Sequence, residues 1–273
     1  MDILDTVYLT GIVPFIGKVS PAEAGDLARA LSMGGLPLAA LHIQSEKDVS
    51  QSRVMQQAVE DFFICACGVE DEKSARLAVQ AGAKLVFATG LDAQVQAVLA
   101  ANEVLALPPL SRVVFDKLGQ YFSSGKVAPC LCPDLQTPHR RGKSYFEIFV
   151  RRVRQAVNNM LGFDLRHIGI NQPDGETSAR TAGEFESLFG FARTDRGGAY
   201  FAGEVVEVMK KPFYGHNGHI AVSTNDAARA AHYLQKQGVQ FNWDSAGYSE
   251  DGSLRVVYLA KELGGFAVHI LQK

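Results

Sequence analysis

The chain ends in GGFAVHILQK (264–273), where one histidine, His269, interrupts a run otherwise built of aliphatic residues. A neutral imidazole is a metal ligand and a proton acceptor near pH 7, and in an apolar strand it needs a partner to offset lost hydration. Four cysteines offer a second chemistry. Cys65 and Cys67, like Cys130 and Cys132, are spaced i, i+2, which puts each pair on one face of a strand. Four thiolates make a zinc set, but zinc ligands usually come from C-x2-C turns, and cysteine is among the most buried residue types; both pairs are read as core. A third chemistry is imine formation by a lysine amine. Lys84 and Lys126 precede apolar runs, whereas Lys18 follows one. The basic cluster Arg140, Arg141, Lys143, Arg151, Arg152 and Arg154 is read as a solvated helix face rather than a phosphate site.

The elements that position these groups fall into two halves. From residue 11 to about 110, short apolar runs alternate with amphipathic stretches: GIVPFIG, PLAALHI, FFICACG, KLVFATG and VLALPPL are separated by segments of helical length. Ser20 caps and Pro21 opens the first of these helices, and Gly34-Gly35 stop it. Strands apolar on both faces, separated by helices, make βαβ units and a parallel sheet, for which a β/α barrel is the natural closure. SYFEIFVRRVRQAVNNMLGF (144–163) carries Phe146, Phe149, Val150, Val153, Ala156, Val157, Met160 and Leu161 at helical spacing, with Ser144 and Glu147 as a capping box. The domain boundary is placed after it, giving domains 1–162 and 163–273. The second half repeats itself: FDLRHIGIN, a helix over 176–189 and three short runs are followed by GHIAVST, a helix over 224–238 and three more.

Composition bounds the function. A formal net charge of −2 leaves no footprint for nucleic acid or an anionic membrane. No apolar run is long enough to span a bilayer, and the acidic start MDILDTVYLTG lacks the pattern of a secretory signal. Four cysteines in 273 residues make no disulfide framework. The expectation is a cytoplasmic protein whose partner is a small molecule.

GIVPFIGKVSPAEAGDLARALSMGGLPLAALHI, AGAKLVFATGLD and VLALPPL resemble the 2-keto-3-deoxy-6-phosphogluconate (KDPG/KHG) aldolase barrel, over roughly residues 11–133. That resemblance implies a Schiff-base lysine in a strand F-K-F-F-P and an acid–base glutamate on the second strand. Here the matching strand is VAPCLCP, with Cys130 at the lysine position, while Ala40 stands for the glutamate and Gln44 for the arginine after it. A thiol forms no imine. The strands that would carry the family's phosphate site are missing, so the barrel is expected to be an incomplete TIM-like one, without aldolase chemistry unless Lys18 substitutes.

LRHIGIN with FESLFGF, then GHIAVS, resemble the vicinal oxygen chelate fold, the superfamily of glyoxalase I and bleomycin resistance proteins, in which two βαβββ units curl around a cleft. The resemblance places metal ligands at His167, Glu207, His219 and His269. The family often has glutamate at the last position, so His269 departs from it. In each strand branched aliphatics flank the polar residue, which alternation then turns toward the cleft. One divalent ion removes the cost of burying a carboxylate among three imidazoles; the alternative is a set of hydrogen-bonded cleft residues without a metal. The resemblance implies a divalent transition metal (Zn, Ni, Co, Mn or Fe) and Glu207 as catalytic base. Tyr200, Phe201, Trp243 and Tyr248 are candidates for the substrate side. His216 is assigned to a loop, His232 to a helix surface, and His42 and His139 have no partner visible in sequence. The expected function is a lyase or isomerase acting on a small oxo- or hydroxy-acid in sugar-acid or 2-oxo-acid metabolism. The alternatives are a non-catalytic sugar-acid or sugar-phosphate binding protein and a residual aldolase. An open barrel leaves strand edges to cover, and a homodimer would cover them.

Overall fold

Apolar runs with both faces buried form the strands of the first compact unit, Met1–Met160. The computed structural model describes residues 3–124, 128–136 and 143–273; Lys126, His139, Arg140, Arg141 and the side chains of Lys143 and Ser144 lie outside the described residues. A short helix that the sequence reading did not anticipate, α1 (Ile3–Thr10), comes first. It is followed by β1 (Ile12–Ile16), α2 (Pro21–Gly34), β2 (Leu38–His42), α3 (Glu46–Ala58), β3 (Phe63–Cys67), α4 (Glu72–Gln80), β4 (Ala83–Phe87), α5 (Ala93–Ala100) and β5 (Leu105–Leu107). Then come the two-residue strand β6 (Ser111–Arg112), α6 (Leu118–Ser123), β7 (Cys130–Cys132) and α7 (Lys143–Leu161). The cap expected at Ser20 holds: its hydroxyl accepts from the Glu23 N–H, and the Glu23 carboxylate accepts from the Ser20 N–H, whereas α7 begins one residue before Ser144, the cap expected there.

The seven strands pair in parallel in the order β5-β4-β3-β2-β1-β7-β6. Chain length forces this sheet to curl. Laid flat, β5 and β6 would stand about 29 Å apart, six spacings of roughly 4.8 Å, yet only Pro108–Leu110 separate them along the chain, a reach of about 15 Å. The sheet is therefore a curled, incomplete barrel whose two edges are joined by three residues. Its interior is filled by Val13, Leu38, Ala40, Cys65, Leu85 and Phe87, with Val7 of α1 added. The buried face of α7, Phe149, Val153, Ala156 and Met160, is the one that its spacing predicts.

The second unit, Leu161–Lys273, is a duplicated βαβββ. Its first copy is β8 (Asp164–Asn171), α8 (Gly175–Phe189), β9 (Arg193–Asp195), β10 (Ala199–Ala202) and β11 (Val206–Met209). The second is β12 (Gly218–Thr224), α9 (Ala227–Lys236), β13 (Phe241–Tyr248), β14 (Leu254–Leu259) and β15 (Phe266–Gln272). They share one sheet in the order β13-β14-β15-β12-β8-β11-β10-β9. The first strands, β8 and β12, run antiparallel at the centre, and each fourth strand lies parallel beside the first strand of its own copy. This is the paired topology that the vicinal oxygen chelate resemblance implied. No described helix is long and apolar enough to cross a membrane.

The packing of α2 against α7 gives a direct test. A Cβ added at Gly34 would stand 2.2 Å from Val153 Cγ1, so Gly34→Ala is expected to destabilise the protein by about 1–3 kcal/mol despite alanine's better helix propensity. Thermal unfolding checks this, and adding Val153→Ala, which removes the clashing methyls, is expected to recover part of the loss.

Candidate metal centre

The inner face of the second sheet is read from its register. Paired residues on neighbouring strands project to the same side, and alternate residues along a strand do as well. One row runs Phe201, Glu207, Gly169, His219, Ala267, and the next runs His167, Ala221, His269, Tyr258. All four residues singled out in the sequence thus share one face, and small residues stand between the large ones. The spacing matters. Gly169 lies directly beside His219, and a Cβ there would sit 2.0 Å from the His219 ring carbon Cε1. Only glycine lets that imidazole lie across β8.

Three ligand-type atoms converge. His167 Nε2 and His219 Nε2 are 3.1 Å and 3.0 Å from Glu207 Oε2, and 3.1 Å from each other. His219 is 3% exposed, and His167 and Glu207 are partly buried. His269 stands beside this group rather than within it, its ring centroid 5.6 Å from that of His167 and 5.4 Å from that of His219. It is 5% exposed, and its Nδ1, like that of His219, has no hydrogen-bond partner among the described residues.

The electrostatics follow from this placement. Burial pushes the Glu207 carboxyl upward, but the hydrogen bonds and positive field of His167 and His219 outweigh it and bring its pKa down to about 2. His269 goes down to about 3, chiefly through burial, with His219 and His167 adding to the effect. The site therefore presents one carboxylate and an imidazole, His269, that resists protonation.

The surrounding side chains divide by face. Phe201 lies on the inner face, 6.1 Å from His167. Tyr200 pairs with Val208, on the other face, under the Lys210 ammonium. The Trp243 ring lies 5.7 Å from that of Phe241, tilted by 44°, and is out of phase with Asn242, the partner of Tyr258, so it is on the outer face too. Tyr248 is 59% exposed near the end of β13. The aliphatic flanks are less uniformly packed than alternation alone suggests: Val208 and Ile270 are buried, whereas Ile168 is 37% exposed. Sequence reading missed Tyr258, whose ring lies 4.6 Å from that of His269, and Gly169. The signal for both was register, which becomes available only once the strands are paired.

In the first unit, Cys130 is fully buried in β7 beside β1. Cys65 and Cys67 have thiols raised by burial, Cys67 to about 11, as expected of core cysteines. Lys18 reaches Asp48 at 3.6 Å on the rim of a cavity of about 190 Å³ at the C-terminal ends of β1 and β2.

Comparison with known proteins finds likenesses of two kinds. Residues 3–120 match the family model for KDPG and KHG aldolase. A 2-keto-3-deoxy-6-phosphogluconate aldolase of Zymomonas mobilis is 15% identical, with 57% of this chain and 94% of that one covered and a TM-score of 0.47. Methylmalonyl-CoA epimerase from Mycobacterium tuberculosis, similar to the C-terminal part, is 15% identical over 40% of this chain and 86% of its own, with a TM-score of 0.28. No curated protein matches the sequence.

Two outcomes test the site's construction. Gly169→Ala should displace the His219 ring, lowering transition-metal affinity in calorimetric titration at least tenfold while the far-ultraviolet circular dichroism is kept. In metal-free protein, His269 stays neutral down to about pH 3, whereas an unfolded histidine protonates near 6.5. The unfolded state thus binds more protons in that window, and stability should fall as pH drops from about 6.5 toward 3. In His269→Gln the fall should be shallower when thermal unfolding is followed against pH.

Proposed function

We propose that the second unit holds a divalent transition metal on His167, Glu207 and His219, with His269 as a fourth, adjoining donor. On this reading the protein is a two-domain lyase or isomerase acting on a small oxo- or hydroxy-acid. The observation that carries it is the triangle of contacts among two imidazole nitrogens and one carboxylate oxygen, each 3.0–3.1 Å from the others. No placement of protons satisfies all three edges. If both nitrogens donate to Glu207, two N–H groups face each other; if one donates to the other, the acceptor's lone pair is spent and nothing bridges it to the carboxylate. A cation removes the conflict, because all three lone pairs then point at one charge. Ligand atoms about 2.1 Å from an ion and at right angles stand about 3.0 Å apart. Two histidines and one carboxylate, with further positions open, form a transition-metal set rather than a calcium or magnesium one.

When bound, such an ion polarises a carbonyl or enediolate oxygen and stabilises the charge left by proton removal. The chain's own residues do the rest. Glu207 supplies the carboxylate of the three-residue group and, as base, takes the proton from the carbon next to the substrate carbonyl. His269, neutral and poorly solvated, excludes water from that side, and Phe201 closes the side beyond Glu207. The match of residues 3–120 to an aldolase family supports a setting in 2-oxo-acid or sugar-acid metabolism, and carry-over onto Cys130 supports a barrel without Schiff-base chemistry. The cavity beside Lys18 favours a second reading for that unit alone, the binding of a sugar acid or sugar phosphate without turnover. A homodimer in the cytoplasm completes the proposal.

Calorimetric titration with zinc(II) is expected to show one site per chain, and Glu207→Ala to weaken it at least a hundredfold; unchanged affinity in the variant would contradict the proposal. Borohydride treatment with pyruvate should leave the mass of the protein unchanged, and a trapped adduct at Lys18 would restore the aldolase reading.

A further inference from the structure

The row that contains His167, Ala221 and His269 ends on Tyr258, and nothing in the proposed metal chemistry uses that residue. Its ring is 4.6 Å from His269 and 6.4 Å from His219. Its backbone N–H is occupied by the Ser245 hydroxyl at 3.0 Å, which fixes the strand, while its own hydroxyl donates to no group among the described residues. Burial disfavours the charged phenolate, and the nearby Glu207 carboxylate adds to the effect. The group is therefore a neutral donor at any ordinary pH.

Its position is held from the far side. The Tyr214 ring lies 4.9 Å and the Phe213 ring 6.3 Å from that of Tyr258. The turn that carries them is pinned by one side chain: Asn171 donates to the Phe213 and Gly215 carbonyls at 3.2 and 2.9 Å and accepts from the Phe213 N–H at 3.1 Å. Asn171 ends β8, the strand that carries His167. One strand thus places an imidazole of the metal group and, four residues later, the wall behind Tyr258. A neutral O–H beside a site with a single carboxylate suits an anionic oxygen: donors to charged acceptors make the stronger hydrogen bonds, and a second carboxylate where His269 stands would have repelled such a ligand.

We propose that the Tyr258 hydroxyl binds one oxygen of a small carboxylate ligand whose other oxygens reach the His167–Glu207–His219 group, with Phe213 and Tyr214 as the wall that orients the phenol. The inference rests on the metal-holding reading and adds to it one ligand-holding group, the Tyr258 hydroxyl. Oxalate is the smallest probe of this kind, and cobalt(II) makes the site visible through its d–d absorption. Wild-type protein loaded with cobalt(II) should change its spectrum saturably on addition of oxalate. Tyr258→Phe should keep the cobalt spectrum and affinity of the wild type, which reports an intact fold and site, while binding oxalate at least tenfold more weakly. Oxalate binding by Tyr258→Phe within twofold of wild type would overturn the role of the hydroxyl. Cobalt bound by the wild type without any response to oxalate would overturn the placing of a carboxylate beside Tyr258. Failure of the wild type to bind cobalt would overturn the metal reading and this inference with it.

Discussion

Two imidazole nitrogens and one carboxylate oxygen, held within about 3 Å of one another on a largely buried sheet face, form the contact on which the second unit depends. Left to protons alone this triangle is frustrated, and burying it unpaired would cost several kcal/mol. Native sequences retain such conflicts mainly at functional sites, where a ligand resolves them. The conflict is also hard to remove by small adjustments. His167, Glu207 and His219 come from three adjacent strands, β8, β11 and β12, whose pairing fixes the spacing of the side chains.

The remainder of that sheet accommodates this convergence. Large rings fit on the inner face because their neighbours in register are small: Gly169 and Ala267 flank His219, and Ala221 separates His167 from His269. The duplicated βαβββ arrangement brings the first and fourth strand of each copy to the centre, so four strand positions distant in sequence become adjacent. In the first unit a comparable constraint acts at the level of the chain: a three-residue link between β5 and β6 obliges a seven-stranded sheet to curl. There, however, the position that the family resemblance gives to a reactive amine holds Cys130, a buried thiol.

Much of this was legible in the sequence because hydrophobic period and caps are local signals. Ser20, Pro21 and Gly34 bounded α2, the apolar face of α7 stood at helical spacing, and the internal repeat gave the second unit its topology. What the sequence could not supply was register. Tyr258 looks like any tyrosine in a strand until β14 is paired with β15, and Gly169 looks like a flexible residue until His219 is laid beside it. Tyr200 and Phe201 are indistinguishable by composition, and only the pairing of β10 with β11 turns one outward and the other inward. Alternation also overstated the packing of the strand flanks, since Ile168 remains partly exposed. The short elements α1 and β6 carry too few residues for periodicity to register.

His269, the residue at which the sequence first poses its question, sits beside the His167–Glu207–His219 group rather than at a corner of the triangle, and its Nδ1 has no hydrogen-bond partner among the described residues. It completes the polar face while adding no charge to it. The measurement that tests the account most directly is anomalous scattering from crystals grown with zinc(II), with data collected on both sides of the zinc edge. The account predicts one strong peak bounded by His167 Nε2, His219 Nε2 and Glu207 Oε2. No peak there, or a peak only at surface residues, would contradict it.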